Sequence, residues 1–234
     1  YEPGSGSTIQ AYAGICGNDN LQSNSDAYFH GISLDEMTAH VTTGSGGTCG
    51  TTITTGNPIP VVSVPSGFTI PAETPFSLTG SATDDTPGSL TYTWEEFDLG
   101  PQADVNAGTV PLFRSFLPTA SGTRVFPQLD RLLDGLPPVI GETLPTAAGT
   151  YTFRLTARDN NPGAGAIHDA SLDVDVVATG SPFAVTFATT PGEIYASGST
   201  TVTWNVAGTN AGAINTPTVD ILLATDGETF DTVL

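Results

Sequence analysis

The 234-residue chain has 24 acidic side chains against five arginines and no lysine, so its formal net charge is −19 and its pI is near 4.1. Nucleic acids and anionic membrane surfaces repel such a chain, which excludes both as partners. Its apolar runs are only a few residues long, whereas a transmembrane helix needs roughly 20, so we expect no membrane span. The 27 glycines and 18 prolines, with abundant Thr and Ser, predict a mainly β fold of short strands and turns.

The first 52 residues contain the one clear helix pattern, and we expect a small α+β segment at 1–52. Ser33 and Glu36 have the spacing of a capping box, in which each side chain satisfies a backbone N–H of the other residue. A helix over about 34–42 should follow and end at Gly44. Apolar residues at helical spacing predict one buried stripe on it: Leu34, Met37 and Val41.

Two cysteines, Cys16 and Cys49, lie in this glycine-rich segment. We predict one disulfide between them, which would stabilise the fold by about 3–4 kcal/mol; two free thiols are the alternative. A zinc pair is disfavoured because neither CxxC spacing nor paired histidines accompany the cysteines. A disulfide and surplus acidity indicate a secreted, extracellular protein. The start at Tyr1, without an initiator Met or a signal peptide, predicts a processed product or a piece of a longer protein.

Beyond a Thr-rich linker at 51–58 the apolar pattern changes to period two. It predicts four strands, at 76–83, 90–97, 150–158 and 170–177, of an immunoglobulin-like β-sandwich that spans 53–178. A long proline-rich insertion at 99–149 separates the second strand from the third. Strand patterns at 179–234 predict a partial second immunoglobulin-like domain, because about three strands cannot close a sandwich of about seven.

Three stretches together resemble the C-terminal part of secreted bacterial reprolysin-like zinc metallopeptidases, a metzincin group. GSGSTIQAYAGICG at 4–17 resembles the segment around their Met-turn. LTYTWEEFDLGP at 90–101 and VTWNVAGTN at 202–210 resemble their accessory immunoglobulin-like domains, and GTYTFRLT at 149–156 is similar to a strand of PKD-type modules. The resemblance implies that residues 1–52 are the tail of a catalytic domain.

The resemblance also implies roles for two residues in that tail. Gln10 occupies the position of the Met beneath the zinc, and Tyr12 stands where some metzincins place a tyrosine that supports the metal or the oxyanion. Metzincins bind zinc through HExxHxxGxxH, which this sequence lacks. We therefore expect the zinc ligands of the parent enzyme upstream of Tyr1, protein substrates for that parent, and no catalysis by this chain alone.

A calcium site is a separate hypothesis. If the four predicted strands are those of a sandwich, two of its loops share one end and bring together Asp84, Asp85, Asp159, Asn160 and Asn161. Clustered oxygen ligands suit Ca²⁺, although Asp and Asn are also common turn formers.

The resemblance implies one function, and the incomplete last domain suggests a second. The first is the accessory or structural portion of a secreted zinc metallopeptidase. The second is a non-enzymatic extracellular structural or adhesive protein, in which the partial domain is completed by a strand of a neighbouring copy. Such head-to-tail contacts do not close and would build a filament or surface layer, a homo-polymer.

Overall fold

The structure, a computed structural model, describes residues 1–86, 89–101, 105, 108, 110–187, 198–227 and 229–234, with the backbone alone at residue 231. The predicted insertion at 99–149 and the predicted partial domain at 179–234 each include positions outside these residues. Where it is described, the chain is mainly β, as its composition predicts.

The described residues form two α-helices and twelve strands. The helices are α1 (Gly31–Thr42) and α2 (Leu129–Leu133). The strands are β1 (Val61–Ser63), β2 (Phe68–Pro71), β3 (Phe76–Thr79), β4 (Ser81–Thr83), β5 (Thr91–Glu96), β6 (Thr123–Phe126), β7 (Gly149–Arg158), β8 (Ile167–Val177), β9 (Ala184–Val185), β10 (Trp204–Asn205), β11 (Leu222–Ala224) and β12 (Phe230–Val233).

A four-stranded sheet in the order β2-β8-β7-β5 is the centre of the fold. Strand β2 runs parallel to β8, and the other neighbours are antiparallel. Side chains alternate across each strand, so one face of β7 carries the buried Phe153 and Leu155 while the other carries Arg154 and Arg158. The sheet therefore has one apolar face and one polar face.

The hydrophobic core lies against the apolar face and is rich in aromatic rings. Phe76 of β3, Phe126 of β6 and Phe153 of β7 have ring centroids 5.0–5.4 Å apart, and Phe113 packs edge-on against Phe126 at 5.1 Å. Trp94 is 3% exposed, and its indole N–H donates to the Gly122 carbonyl at 2.9 Å. Burial of each large apolar side chain contributes about 1.5–3 kcal/mol.

The insertion supplies part of this core. Strand β6, within 99–149, pairs antiparallel with β3 and places Phe126 opposite Phe76. Leu112 and Phe113, also in the insertion, are 4% and 1% exposed. The insertion is thus built into the fold.

Helix α1 begins at Gly31, earlier than the capping-box pattern predicts. Its N-cap is His30, whose Nδ1 accepts the Ile32 N–H at 3.2 Å. Ser33, the predicted cap, lies inside the first turn. The prediction of a buried stripe is wrong, because Leu34 and Met37 are only half-buried and Val41 is 60% exposed.

The predicted Cys16–Cys49 disulfide is not formed. Each thiol instead contacts a carbonyl four residues earlier in its own turn: Cys16 Sγ lies 3.6 Å from the Tyr12 oxygen, and Cys49 Sγ lies 3.7 Å from the Ser45 oxygen. Local turn geometry, with 3-10 turns at Gly17–Asp19 and Ser45–Thr48, holds the two cysteines separately.

The described part of the last segment contains two small antiparallel pairs, β9 with β10 and β11 with β12. Several apolar side chains of this segment are exposed, among them Leu222, Leu223 and Val233 at 43%, 43% and 62%. Across the described residues no helix has the length and apolar character required to cross a membrane.

Candidate functional site: the seat of the N-terminal segment

The N-terminal segment covers part of the polar face of the sheet, on β5 and β7, whereas Asp173 and Asp175 of β8 on the same face are exposed. We define this polar face by Thr93 and Glu95 on β5 and by Arg154 and Arg158 on β7. All four point away from the core because they alternate with core residues along their strands. The residues that cover them lie at 28–35, at the start of helix α1 and in the loop before it.

Glu95 is the centre of the contact and is 1% exposed. Its Oε2 accepts the Gly31 N–H at 2.8 Å, which satisfies one of the free N–H groups at the start of helix α1. Its Oε1 accepts the Ser115 hydroxyl at 2.6 Å and lies 3.8 Å from His30 Nε2. One carboxylate thus joins the helix, the insertion and the sheet.

Two arginines of β7 hold the same segment. Arg158 donates to the Phe29 carbonyl and to the Thr93 hydroxyl, both at 2.9 Å. Arg154 pairs with Asp35 at 2.6 Å, and its guanidinium lies 3.5 Å from the centroid of the Phe97 ring. These charge-assisted bonds fix the beginning of α1 on the sheet at several points.

A third arginine reaches the N-terminal segment from the insertion. Arg114 is 8% exposed, and its guanidinium donates to the Leu21 carbonyl at 3.5 Å and to the Gln22 side chain. Three of the five arginines in a chain of net charge −19 therefore contact residues 1–52.

The loop that resembles a Met-turn is held by a further set of bonds. Glu2 Oε1 accepts the Ser7 N–H at 2.8 Å, and Glu2 Oε2 accepts the Thr8 hydroxyl at 2.6 Å. The Ser7 hydroxyl donates to the Ser115 carbonyl at 3.2 Å. Ser7 and Thr8 are completely buried, so this loop is anchored to the same insertion residue that contacts Glu95.

A second buried cluster braces the insertion beneath this contact. Arg124 donates to the Trp94 carbonyl at 2.6 Å and to Glu142 at 3.1 Å. Glu96 Oε2 accepts the Leu112 and Phe113 N–H groups at 2.5 and 2.8 Å, while its Oε1 is buried without a hydrogen-bond partner. The cluster links the insertion to β5 through hydrogen bonds of Arg124 and Glu96.

Burial dominates the protonation of these groups. It raises the pKa of Glu95 above its ordinary range and raises the pKa of Glu96 to about 8, although hydrogen bonds to both carboxylates oppose the shift. Burial also lowers the pKa of His30 to about 4. Burial therefore favours the uncharged forms of both His30 and Glu96.

The two residues that the resemblance assigns to a metzincin site lie on the outer side of this loop. Tyr12 is 66% exposed, and its backbone N–H donates to the Ser5 carbonyl at 2.8 Å. Gln10 is also exposed. The loop backbone is thus held from within, while both predicted site side chains face outward.

The three histidines are separated and have different environments. His30 caps α1, His168 Nδ1 accepts the Val62 N–H at 3.1 Å, and His40 lies in the exposed last turn of α1. Within the described ranges, no three His, Cys, Asp or Glu side chains are grouped so that they could hold a metal ion. The described histidines, cysteines and carboxylates therefore do not form a zinc ligand set of their own.

The predicted calcium residues belong to two turns that meet at one end of the sheet. Asp159 Oδ1 accepts the Asn161 and Ala166 N–H groups at 3.0 and 2.9 Å, and its Oδ2 accepts the Asn57 amide at 2.5 Å. Burial alone would raise the pKa of Asp159, but these three bonds outweigh it and hold the pKa below its ordinary value. Asp159 thus organises its own turn.

The remaining predicted calcium residues show how the two turns meet. The Asn160 amide donates to the Ser89 carbonyl at 2.6 Å, which joins the turns. Asp84 accepts the Thr86 N–H and Asp85 accepts the Thr86 hydroxyl, both at 3.2 Å. Calcium binding by these five residues stays a prediction.

Sequence reasoning missed Glu95, Arg154 and Arg158, although a signal for them was present. Arg154 and Arg158 are four residues apart in a predicted strand, so they share the face opposite to its apolar residues. Glu95 and Glu96 are adjacent in strand β5, so their side chains must point to opposite faces of the sheet. At least one of them must therefore point to a face that is packed against other residues. The arginine spacing thus indicated a polar face, but the same pattern is typical of a face exposed to water, so the sequence did not reveal that this face is covered.

Comparison with known proteins does not identify a family for this chain. No family model matches the sequence, and a search of curated proteins gave no match.

Proposed function

We propose that this chain is the C-terminal accessory portion of a secreted reprolysin-type zinc metallopeptidase, in which an immunoglobulin-like β-domain holds the tail of the catalytic domain in a fixed position. Peptide-bond hydrolysis belongs to the parent enzyme, and this chain alone is inactive. The supporting observation is that three of the five arginines contact residues 21–35, which follow the stretch at 4–17 that resembles a Met-turn region.

The hydrogen bonds of this contact favour a single position of the N-terminal segment on the sheet. The Phe29 carbonyl, the Gly31 N–H and the Glu95 carboxylate are each satisfied across the contact. Each buried polar group that is left unpaired costs about 1–3 kcal/mol. Displacement of the N-terminal segment would leave several such groups unpaired at once. Through this contact, the β-domain would determine the position of the loop that carries Gln10 and Tyr12.

Zinc, when bound in the parent, would activate a water molecule and polarise the peptide carbonyl. The residues of this chain position the loop: the Glu2 carboxylate accepts hydrogen bonds from Ser7 and Thr8, and the Tyr12 ring beyond them is exposed. We assign Tyr12 to support of the metal or the oxyanion in the parent.

The test is to read the coding sequence upstream of Tyr1 and to assay the whole encoded protein for zinc and for casein hydrolysis. We expect HExxHxxGxxH upstream, stoichiometric zinc and activity that a chelator removes. Arg158→Gln should lower that activity, whereas Arg131→Gln, far from the contact in sequence, should not. A coding region without the motif, or a whole protein that hydrolyses no peptide, contradicts the proposal.

A filament or surface-layer subunit is the second candidate, and the exposed apolar side chains of β11 and β12 favour it. Leu222 and Leu223 are each 43% exposed, and Val233 is 62% exposed. Strand complementation by a neighbouring copy would cover them. Sedimentation of the full chain over a wide concentration range tests this: polymers that Leu223→Asp abolishes support it, and monomers at every concentration contradict it.

A further inference from the structure

A groove of about 650 Å³ lies beside strand β5. Strand β5 is at the edge of the four-stranded sheet, and its outer edge forms an isolated bridge between Tyr92 and Thr119. The chain then continues through strand β6 into helix α2. The groove lies between β6, the helix and the sheet edge, and Gly227 also lines it.

The apolar lining of the groove is partly open to solvent. Leu117 is 55% exposed and Leu133 is 38% exposed, and Leu129 and Val125, which also line the groove, are half-buried. Apolar side chains that gather in one concave surface, rather than being scattered singly, are typical of a binding site.

The charge in the groove is negative. Asp130 and Asp134 line it, and no ion pair involving either carboxylate occurs among the described residues. Arg124 also lines the groove, but its guanidinium is already paired with Glu142 and with the Trp94 carbonyl. Because Arg124 is already paired, Asp130 and Asp134 determine the charge that a ligand meets in the groove.

Two alternative occupants fit less well. A sugar usually stacks on an open aromatic face, but Trp94 is 3% exposed, and two guanidinium groups lie within 5.2 Å of the centroid of the Phe116 ring. A second copy of this chain carries no lysine and uses three of its five arginines to hold its own N-terminal segment. An acidic groove on a chain of net charge −19 thus suits a basic partner.

We propose that this groove binds an extended peptide with alternating apolar and basic side chains, supplied by a protein substrate of the parent enzyme. The apolar side chains contact Leu117 and Leu133, and the basic ones pair with Asp130 and Asp134. The assignment of the peptide to a substrate rests on the proposed function, whereas the binding itself does not.

The test uses the full chain and two labelled peptides of equal length, one alternating Leu with Lys and the other alternating Leu with Glu. Fluorescence anisotropy measures each Kd at low and at physiological salt. We expect the Lys peptide to bind, more weakly as salt increases, and the Glu peptide not to bind. The double variant Asp130→Asn with Asp134→Asn should weaken binding about threefold to tenfold.

Matched controls separate the groove from the general acidity of the chain. Leu117→Ser should weaken binding, and Ile53→Ser, at a 78% exposed linker position, should not. Glu36→Gln, on the exposed surface of α1, removes the same kind of charge elsewhere and should leave the Kd unchanged. Circular dichroism and the thermal midpoint of each variant establish that it is folded.

Several results would overturn the proposal. These are binding that the groove variants do not change, equal binding of the Glu peptide, and no binding of either peptide. Self-association that Leu117→Ser abolishes, without peptide binding, would assign the groove to a second copy instead. An active parent whose accessory chain binds no peptide would overturn this inference alone, and a bound peptide with an inactive parent would overturn the proposed function alone.

Discussion

The Gly31 amide donates a 2.8 Å hydrogen bond to the Glu95 carboxylate, which joins the first residue of helix α1 to the edge strand of the four-stranded sheet. Both residues are buried, so water cannot replace either partner without opening the contact. The position of the N-terminal segment therefore depends on interactions with the sheet in addition to its own helix.

Replacing Arg158 should weaken this contact. Arg158→Gln shortens the side chain and leaves the Phe29 carbonyl without its donor, so we expect the free energy of unfolding to fall by about 1–3 kcal/mol. Arg131 bonds the Pro137 carbonyl within its own loop, and Arg131→Gln should change stability by less than about 0.5 kcal/mol. Urea denaturation of both variants checks this, and equal effects would contradict it.

Glu96 should make stability fall as the pH rises from about 4.5 to about 8. Burial raises the pKa of Glu96 to about 8, so between its ordinary value of 4.5 and 8 the folded chain holds a proton that the unfolded chain releases. The free energy of unfolding should therefore fall as pH rises through this range, by up to about 1.4 kcal/mol per pH unit.

The variant Glu96→Gln isolates this effect because an amide does not titrate. Its stability relative to the wild type should improve steadily from about pH 5 to pH 8, as measured by urea midpoints. The exposed Glu36→Gln serves as the control and should show no such trend. A constant difference between Glu96→Gln and the wild type would show that Glu96 is already ionised in the folded protein.

His30 should act in the opposite direction, at acid pH. Burial lowers its pKa from 6.5 to about 4, so over this interval the unfolded chain binds a proton that the folded chain does not. Stability should therefore decrease as pH falls from about 6.5 to about 4. Glu2, Glu95, Arg154 and Arg158 surround the ring and contribute to its environment.

His30→Asn tests the assignment while keeping a side-chain acceptor for the N-terminus of α1. It should remove this part of the acid dependence. NMR titration of the His30 ring in the wild type should give a midpoint near 4, and a midpoint near 6.5 would mean that the ring is solvated and the contact open.

The sequence predicts the central strands well because their apolar residues alternate strictly. The predicted strand at 150–158 corresponds to β7 at Gly149–Arg158, and the one at 90–97 corresponds to β5 at Thr91–Glu96. The predicted strand at 76–83 is divided into β3 and β4 at Gly80, where a Cβ would lie 2.5 Å from Leu155 Cδ2. Close packing with a distant strand determines that break, and local pattern does not reveal it.

The start of α1 could not be predicted for a similar reason. Ser33 and Glu36 satisfy the local capping pattern, but Gly31 finds an acceptor 64 residues away in Glu95, and the helix gains a turn. The sequence did not predict strand β6, because β5 lies between β6 and its partner β3 in the sequence. Long-range hydrogen bonds decide these elements.

A substitution of Asp159 distinguishes a structural role in the turn from a role in a calcium site. Asp159→Asn exchanges one acceptor oxygen for an N–H₂ group among three N–H donors, so we expect it to lower the thermal midpoint. The loss should be the same with chelator as with added calcium, because both carboxylate oxygens already accept hydrogen bonds within the protein. A much larger loss in calcium would favour the calcium site over the turn.

The most direct test of the account is hydrogen exchange at the Gly31 amide, measured by NMR on the full chain. If the N-terminal segment is seated on the sheet, Gly31 should exchange as slowly as the Phe153 and Leu155 amides in the centre of β7. Arg158→Gln should accelerate it more than Arg131→Gln does. Exchange of Gly31 at the rate of the exposed linker at 51–56, with the β7 amides still protected, would contradict the account.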